Sequence, residues 1–317
     1  MKTAIVTGAG GFIGGALTAR LLDGGYRVYG VDVKSEYMCR FKNGRFTPVE
    51  ADLSEVRLSD MVPKKVDVLY YLSWGGSLGG RDLYDVRMQM DNVTMAASVC
   101  EDAAQFVERF IFASSSYESM KNKLQPRYPF NVYGIAKRAA GDICASISIR
   151  TGMEYNKVIL TNTYGVGDRS SKAVNTIIKS MLNDGPLKLV RGDRPNDWMY
   201  IDDTVSGLVA AYECGEPYET YYIGHDDIST FKDKILAMGN VLCPDRRFTF
   251  GEMPEDTYVD YDEIRRGSCD GFTFGCTADF EESIMRTAKW LETGMTSEKI
   301  RGGVIPDCLL RQKAEAA

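Results

Sequence analysis

A short apolar run breaks into glycines and then into a second apolar run with helical spacing: residues 3–14 read TAIVTGAGGFIG. Few arrangements accommodate this, because a buried strand that turns at once into a helix needs backbone room that side chains would fill. Gly8 permits the tight turn, Gly11 lets backbone approach a pyrophosphate, and Gly14 allows the helix to pack close on the strand. The helix N-terminus favours the negative phosphates. The pattern predicts a βαβ unit that binds a dinucleotide.

The rest of the first half keeps that rhythm. Strands are predicted at 3–6, 27–31, 45–50, 66–72, 110–113 and 155–160, with helices at 13–22, around 86–104 and at 133–151. Alternation of this kind is the pattern of a parallel sheet covered by helices, so the fold class is α/β with a Rossmann-type doubly wound sheet. After Gly165 come a Gly/Asp/Arg/Ser loop, one amphipathic helix around 173–183 and a short apolar run at 187–190. We therefore expect an NAD-binding domain over 1–165 and a smaller C-terminal α/β substrate domain over 166–317, with a helix near 202–214 packing back on the first. The tail after Gly302 is polar enough to fray.

Asp32 ends the second strand in VYGVDVK, about twenty residues past the glycines, where a carboxylate can accept from both ribose hydroxyls. Its charge would repel a 2′-phosphate, and Val33 follows rather than an arginine, which favours NAD over NADP. Asp52, ending VEADL, is placed to approach the adenine. In Tyr133-Gly-Ile-Ala-Lys137 a phenol and an ammonium stand four residues apart on one helix face. A tyrosine is a poor base at neutral pH, but a neighbouring ammonium and a positive nicotinamide stabilise its phenolate. Residues 110–116, FIFASSS, form an apolar strand whose C-terminal end carries hydroxyls, at the edge where open parallel sheets bind ligands.

Other chemistries have little to work with. One histidine, His225, leaves almost nothing for a His-centred metal site or a Ser-His-Asp triad, so no metal is expected. His225 and Trp198 suggest packed or surface positions. A net charge of -6 with scattered Lys and Arg disfavours a nucleic-acid partner. No apolar stretch reaches the roughly 18–20 residues of a membrane span, and the start lacks a signal-peptide pattern, so a cytoplasmic protein is expected. Eight dispersed cysteines without C-x-x-C suggest reduced thiols.

Together these segments resemble the extended short-chain dehydrogenase/reductase family, specifically its NAD-dependent epimerase/dehydratase branch acting on nucleotide sugars. TGAGGFIG resembles the branch's cofactor turn, FASSSYES its strand with the catalytic hydroxyl, and YGIAK its YxxxK. NTYGVGD (162–168), NDWMYIDD (196–203) and the late DFEESIMRTAKWL resemble three further segments. The resemblance implies Ser115 as hydrogen-bond donor to the reacting oxygen, Tyr133 as general acid/base and Lys137 as its electrostatic partner. It implies cofactor contacts from Gly8, Gly11, Phe12, Ile13, Gly14, Asp32, Asp52, Leu53, Leu72, Ser73, Trp74, Tyr133 and Lys137. The sugar side would be lined by Gly75, Ser77, Ser116, Asn162 and the loop beyond Gly165. A homodimer through two helices of the first lobe is also implied.

Three departures carry consequences. Bulky Trp74 stands beside the cofactor, where the branch often has small residues. Ser116-Tyr117 replaces the Asp-Glu pair of its dehydratases, which removes the acid and base for eliminating water. Asn196 replaces an arginine that contacts pyrophosphate, a role Arg191, Arg194 or Arg169 could take. The leading expectation is an epimerase that works through a transient keto sugar. The alternatives are a 4-ketoreductase consuming NAD(P)H and a catalytically silent dinucleotide-binding protein.

Overall fold

The computed structural model describes residues 1–76, 80–168, 170–270 and 272–293; Ser77, Arg169, Cys308 and the tail after Gly302 lie outside them. Strand β1 (Thr3–Thr7) leads through the glycine turn into helix α1 (Phe12–Asp23). Gly8 has φ +68°, in the left-handed region, and a Cβ on Gly14 would lie 2.1 Å from the Gly8 carbonyl oxygen. Backbone thus meets backbone where the strand becomes the helix.

The chain continues through β2 (Arg27–Asp32), β3 (Phe46–Glu50), β4 (Val66–Tyr71), α2 (Val86–Ala103) and β5 (Val107–Ser115). Next come β6 (Met120–Asn122), α3 (Val132–Thr151), β7 (Glu154–Leu160) and β8 (Asn162–Tyr164). One seven-stranded sheet has the order β3-β2-β1-β4-β5-β7, with β10 (Thr220–Ile223) at the far edge, and every pairing is parallel. Its six sequence-marked strands appear where patterning puts them. β5 is longer than its apolar run because Arg109 remains in the strand with its guanidinium satisfied by Glu154 and by the Tyr212 and Gly215 carbonyls. β10 escapes the pattern because TYYI alternates over only four residues before Gly224.

Alternate residues of each central strand feed two cores. Ala4, Val6, Val68, Tyr70 and Ile111 face one cluster, whereas Ile5, Leu69, Tyr71, Phe110 and Phe112 face the other. Burial on both faces explains the nearly continuous apolar runs. Each Val, Leu, Ile or Phe among them contributes about 1.5–3 kcal/mol of transfer free energy. Helices α2 and α3 pack together over the second cluster, while α5 (Ile201–Glu213) packs on α1.

Beyond β8 lie α4 (Ala173–Leu182), β9 (Trp198–Tyr200), α6 (Phe231–Leu242), β11 (Thr257–Val259), α7 (Tyr261–Arg266) and α8 (Phe280–Thr293). β8 pairs with β9, β6 pairs with β11, and α4, α6 and α8 pack on one another. The apolar run at 187–190 makes only an isolated bridge, Leu189 to Phe250. Among the described residues the cysteines are thiols, and no helix is long and apolar enough to cross a membrane.

The close approach at the first turn gives a direct test. Gly14→Ala should destabilise the protein by about 1–3 kcal/mol, the cost of overpacking where backbone cannot give way. Thermal unfolding beside a Gly44→Ala control measures it, since nothing lies within 4 Å of a Cβ at Gly44.

Candidate active site

Strand order reverses at β1 and β4, and a cavity of about 1270 Å³ opens at the carboxyl ends of the strands there. Its walls carry Gly8, Gly11, Phe12, Ile13 and Gly14 from the first turn, Asp32 after β2, and Asp52 and Leu53 after β3. Leu72, Ser73, Trp74 and Gly75 come from the turn after β4, Ser115 and Ser116 from the end of β5, Tyr133 and Lys137 from α3, and Asn162 from β8. Arg194 stands apart: it is exposed, with its guanidinium over the Tyr258 ring at 4.2 Å, and Arg191 pairs with Asp193. Among the described residues the cations lining the cavity are Arg87, Lys137 and Lys172, the last over the Phe12 ring at 6.0 Å.

The cofactor end has the chemistry a dinucleotide requires. A Cβ at Gly8 would meet the Ser73 amide at 3.4 Å, one at Gly14 the Gly8 carbonyl at 2.1 Å, and α1 has Gly11 at its N-terminus with no side chain capping the first turn. Its leading N–H groups are therefore not taken by a cap. Asp32 accepts from the backbone N–H of Gly10 (2.9 Å) and Val33 (2.8 Å). Burial raises its carboxyl above the usual carboxylate range, and those two N–H groups oppose the rise. Asp52 accepts from the Ser54 amide and hydroxyl, which hold its carboxyl below the usual range. Thr7 Oγ1 accepts from the Leu72 and Ser73 amides at 2.9 and 3.1 Å, joining the ends of β1 and β4. These residues fit NAD.

The reactive end is assembled by α3. Asn131 caps it by accepting from the Gly134 amide at 2.6 Å. A Cβ on Gly134 would lie 2.0 Å from the Tyr117 carbonyl oxygen, so this glycine lets the helix meet the turn after β5 and brings Tyr133 to Ser115. Burial pushes the Tyr133 phenol up to about 12, and a hydrogen bond with Ser115 pulls it down. Lys137 donates to the Ala113 carbonyl at 2.9 Å, and burial brings its ammonium down to about 7. Rings of Trp74 and Tyr117 meet Tyr133 edge-on, with centroids 6.2 and 6.1 Å away.

Several supporting residues carry no sequence signal. Glu118, one residue beyond Tyr117, is buried and turned from the cavity toward Ser114, Lys157 (3.2 Å) and Arg138 (3.6 Å). Nothing in FASSSYES distinguishes a buried, paired glutamate from an exposed one. His225 is now placed: its Nδ1 lies 2.6 Å from the fully buried Asp197, which also accepts from Tyr222 and the His225 amide. That contact braces the residue between Asn196 and buried Trp198, both of which line the cavity. Asn162 donates to Asn196 (3.3 Å) and to the Asp197 carbonyl (3.2 Å) from the facing strand.

Comparison with known proteins places this geometry. The family model for the NAD dependent epimerase/dehydratase family matches residues 4–224. The uncharacterized UDP-glucose epimerase YtcB of Bacillus subtilis is 27% identical over 248 residues, 69% of this chain and 76% of its own. UDP-glucuronate 4-epimerase 1 of Arabidopsis thaliana is 22% identical over 325 residues, 90% of this chain and 76% of its own. Among solved structures, a UDP-N-acetylglucosamine 4-epimerase from Methanobrevibacter ruminantium matches with TM-score 0.77 and 21% identity, over 93% of this chain and 99% of that one. A UDP-glucuronic acid 4-epimerase from Bacillus cereus, in complex with UDP-glucuronic acid and NAD, matches with TM-score 0.73 and 22% identity, over 93% and 100%.

The buried pairing behind β5 has a measurable consequence. Glu118→Ala leaves Lys157 without its carboxylate and should cost about 2–3 kcal/mol, less than a fully buried pair because Arg138 is partly solvated. Urea unfolding of the variant beside wild type reads the loss as a lower midpoint at unchanged slope.

Proposed function

The chain belongs to the NAD dependent epimerase/dehydratase family, and from that premise we propose that it epimerises a nucleotide sugar through a transient keto sugar. The observation that carries this reading is the convergence of Ser115, Tyr133 and Lys137 in the cavity that also holds the glycine turn and Asp32. The relatives' names support the substrate class, since those named above are called epimerases of UDP-sugars.

When bound, NAD supplies a reversible hydride acceptor and a positive ring. It would be held by the glycine turn, Asp32, the turn after β4 and Lys137. The chain's own residues manage the proton. Tyr133 removes the proton of one sugar hydroxyl and returns it when the alcohol is restored; the ring presents its opposite face in between, which inverts the carbon. A buried phenol at about 12 is neutral at rest, so this step needs groups that favour phenolate. The single Ser115 O–H, hydrogen-bonded to Tyr133 in the free site, turns to the reacting oxygen when substrate is present, and the Lys137 ammonium stabilises the charge that develops.

Elimination of water lacks its catalysts. Ser116 and Tyr117 stand where an acid and base would be required, and the Glu118 carboxylate is committed behind the strand. On the substrate side, Gly75, Ser116 and Asn162 line the sugar, and Lys172 rather than Arg194 faces the diphosphate. The division into domains 1–165 and 166–317 belongs to the same reading, with α5 and β10 of the later stretch joined to the first.

Two measurements test these statements. Tyr133→Phe should retain NAD binding and lose turnover by about a hundredfold or more, the worth of a general acid/base. Product formation from a panel of nucleotide sugars without added coenzyme, followed by mass spectrometry and NMR, reads it. Unchanged turnover rejects the assignment, and consumption of supplied NADH in proportion to product would mark a reductase instead. The homodimer is proposed to form through α2 and α3, which expose Met90, Ile135, Ile143 and Ile149. Sedimentation should give twice the 35.3 kDa chain mass, and Ile143→Glu should lower it.

A further inference from the structure

We propose that Trp74 is a positioning residue of this site: its indole face seats the Lys137 ammonium while its ring packs at right angles against the Tyr133 ring. The inference rests on the Tyr133 and Lys137 roles given above. Lys137 Nζ lies 3.9 Å from the centroid of the Trp74 ring, well within the ~6 Å reach of a cation–π contact. The Phe112 ring is more distant, at 5.4 Å.

The indole is itself locked. Its Nε1–H donates to Gln89 Oε1 at 2.9 Å, and Gln89 is fully buried, with Nε2 donating to the carbonyls of Asp82 (2.9 Å) and Gly76 (3.3 Å). Its ring meets Phe112 at 6.4 Å and 79°, and Tyr133 at 6.2 Å and 86°, both near perpendicular. A ring held from three sides cannot swing to follow the lysine. It is a preformed platform that fixes where the ammonium stands relative to the phenol.

Other groups act on Lys137 from each neighbouring element. Cys144 lies on α3, the Ala113 carbonyl on β5, and Glu118 in the turn beyond it. Glu118 favours the charged form but is already shared among Ser114, Lys157 and Arg138. Burial opposes the charge strongly enough to bring the ammonium down to about 7. An aromatic face favours the cation, so removing it lowers the pH at which Lys137 loses its proton. The charged form then disappears earlier as pH rises.

Two readouts test this. In full-length protein without cofactor, the Trp74 contribution to emission, taken as wild type minus Trp74→Phe, should titrate with a midpoint below the usual lysine range, and Lys137→Met should abolish the titration. A signal that does not titrate, or that titrates equally in Lys137→Met, overturns the proposal whatever the reaction proves to be. In turnover, Trp74→Leu should move the alkaline limb of the kcat profile down by about one pH unit, while Trp74→Phe, which keeps a ring face, should leave it near wild type. Equal losses in both variants with an unmoved limb would reduce Trp74 to a wall of the cavity. Failure of the Tyr133→Phe test with the emission titration intact would instead remove the reaction and keep the contact.

Discussion

The reversal of strand order at β1 and β4 is the constraint on which the rest of the molecule depends. Strands β2 and β3 extend the sheet on one side of β1, and β4, β5, β7 and β10 extend it on the other, so the connections leave β1 and β4 in opposite directions. No covering element can occupy the gap between diverging connections, and a crevice remains at the carboxyl edge. Every group assigned to chemistry lies on a turn that opens there or on α3, which packs across β5 and β7. Thr7 holds the two central turns together by accepting from both Leu72 and Ser73.

The same burial that shapes the crevice sets its electrostatics. Tyr133 and Lys137 are pushed in opposite directions, the phenol up and the ammonium down, because desolvation penalises whichever form is charged. Both groups are thereby held neutral more readily than in water, and small contacts decide their state. Ser115, the Ala113 carbonyl and the Trp74 ring are those contacts. Behind them, Glu118 with Lys157 keeps charge paired where it would otherwise be costly, and buried Asp197 accepts hydrogen bonds from Tyr222 and the His225 amide. The site is therefore a polar cluster inside an apolar frame, with Lys137 and Glu118 each held against a partner.

Much of this could be read from residue order because the signals are local. The glycine turn, six strands and the principal helices declare themselves through spacing and burial period, which depend on near neighbours along the chain. Tyr133 and Lys137 declare themselves because i and i+4 share a helix face. Glu118, Gln89 and His225 do not, since their partners are 39, 13 and 28 residues away in Lys157, Gly76 and Asp197. β10 was hidden by its length, and Arg194, attractive by position alone, turned out to stack on Tyr258.

Residue order by itself determined the doubly wound class, the dinucleotide turn, the acidic residue at the end of the second strand and the phenol–ammonium pair. Each is fixed by covalent spacing acting over one turn of helix or one strand. Tertiary structure alone decided that these pieces share one cavity, that Trp74 covers the lysine, and which buried charges are paired. Those outcomes depend on approach between segments far apart in the chain, such as Gly134 against the Tyr117 carbonyl, and close packing rather than sequence spacing sets such distances.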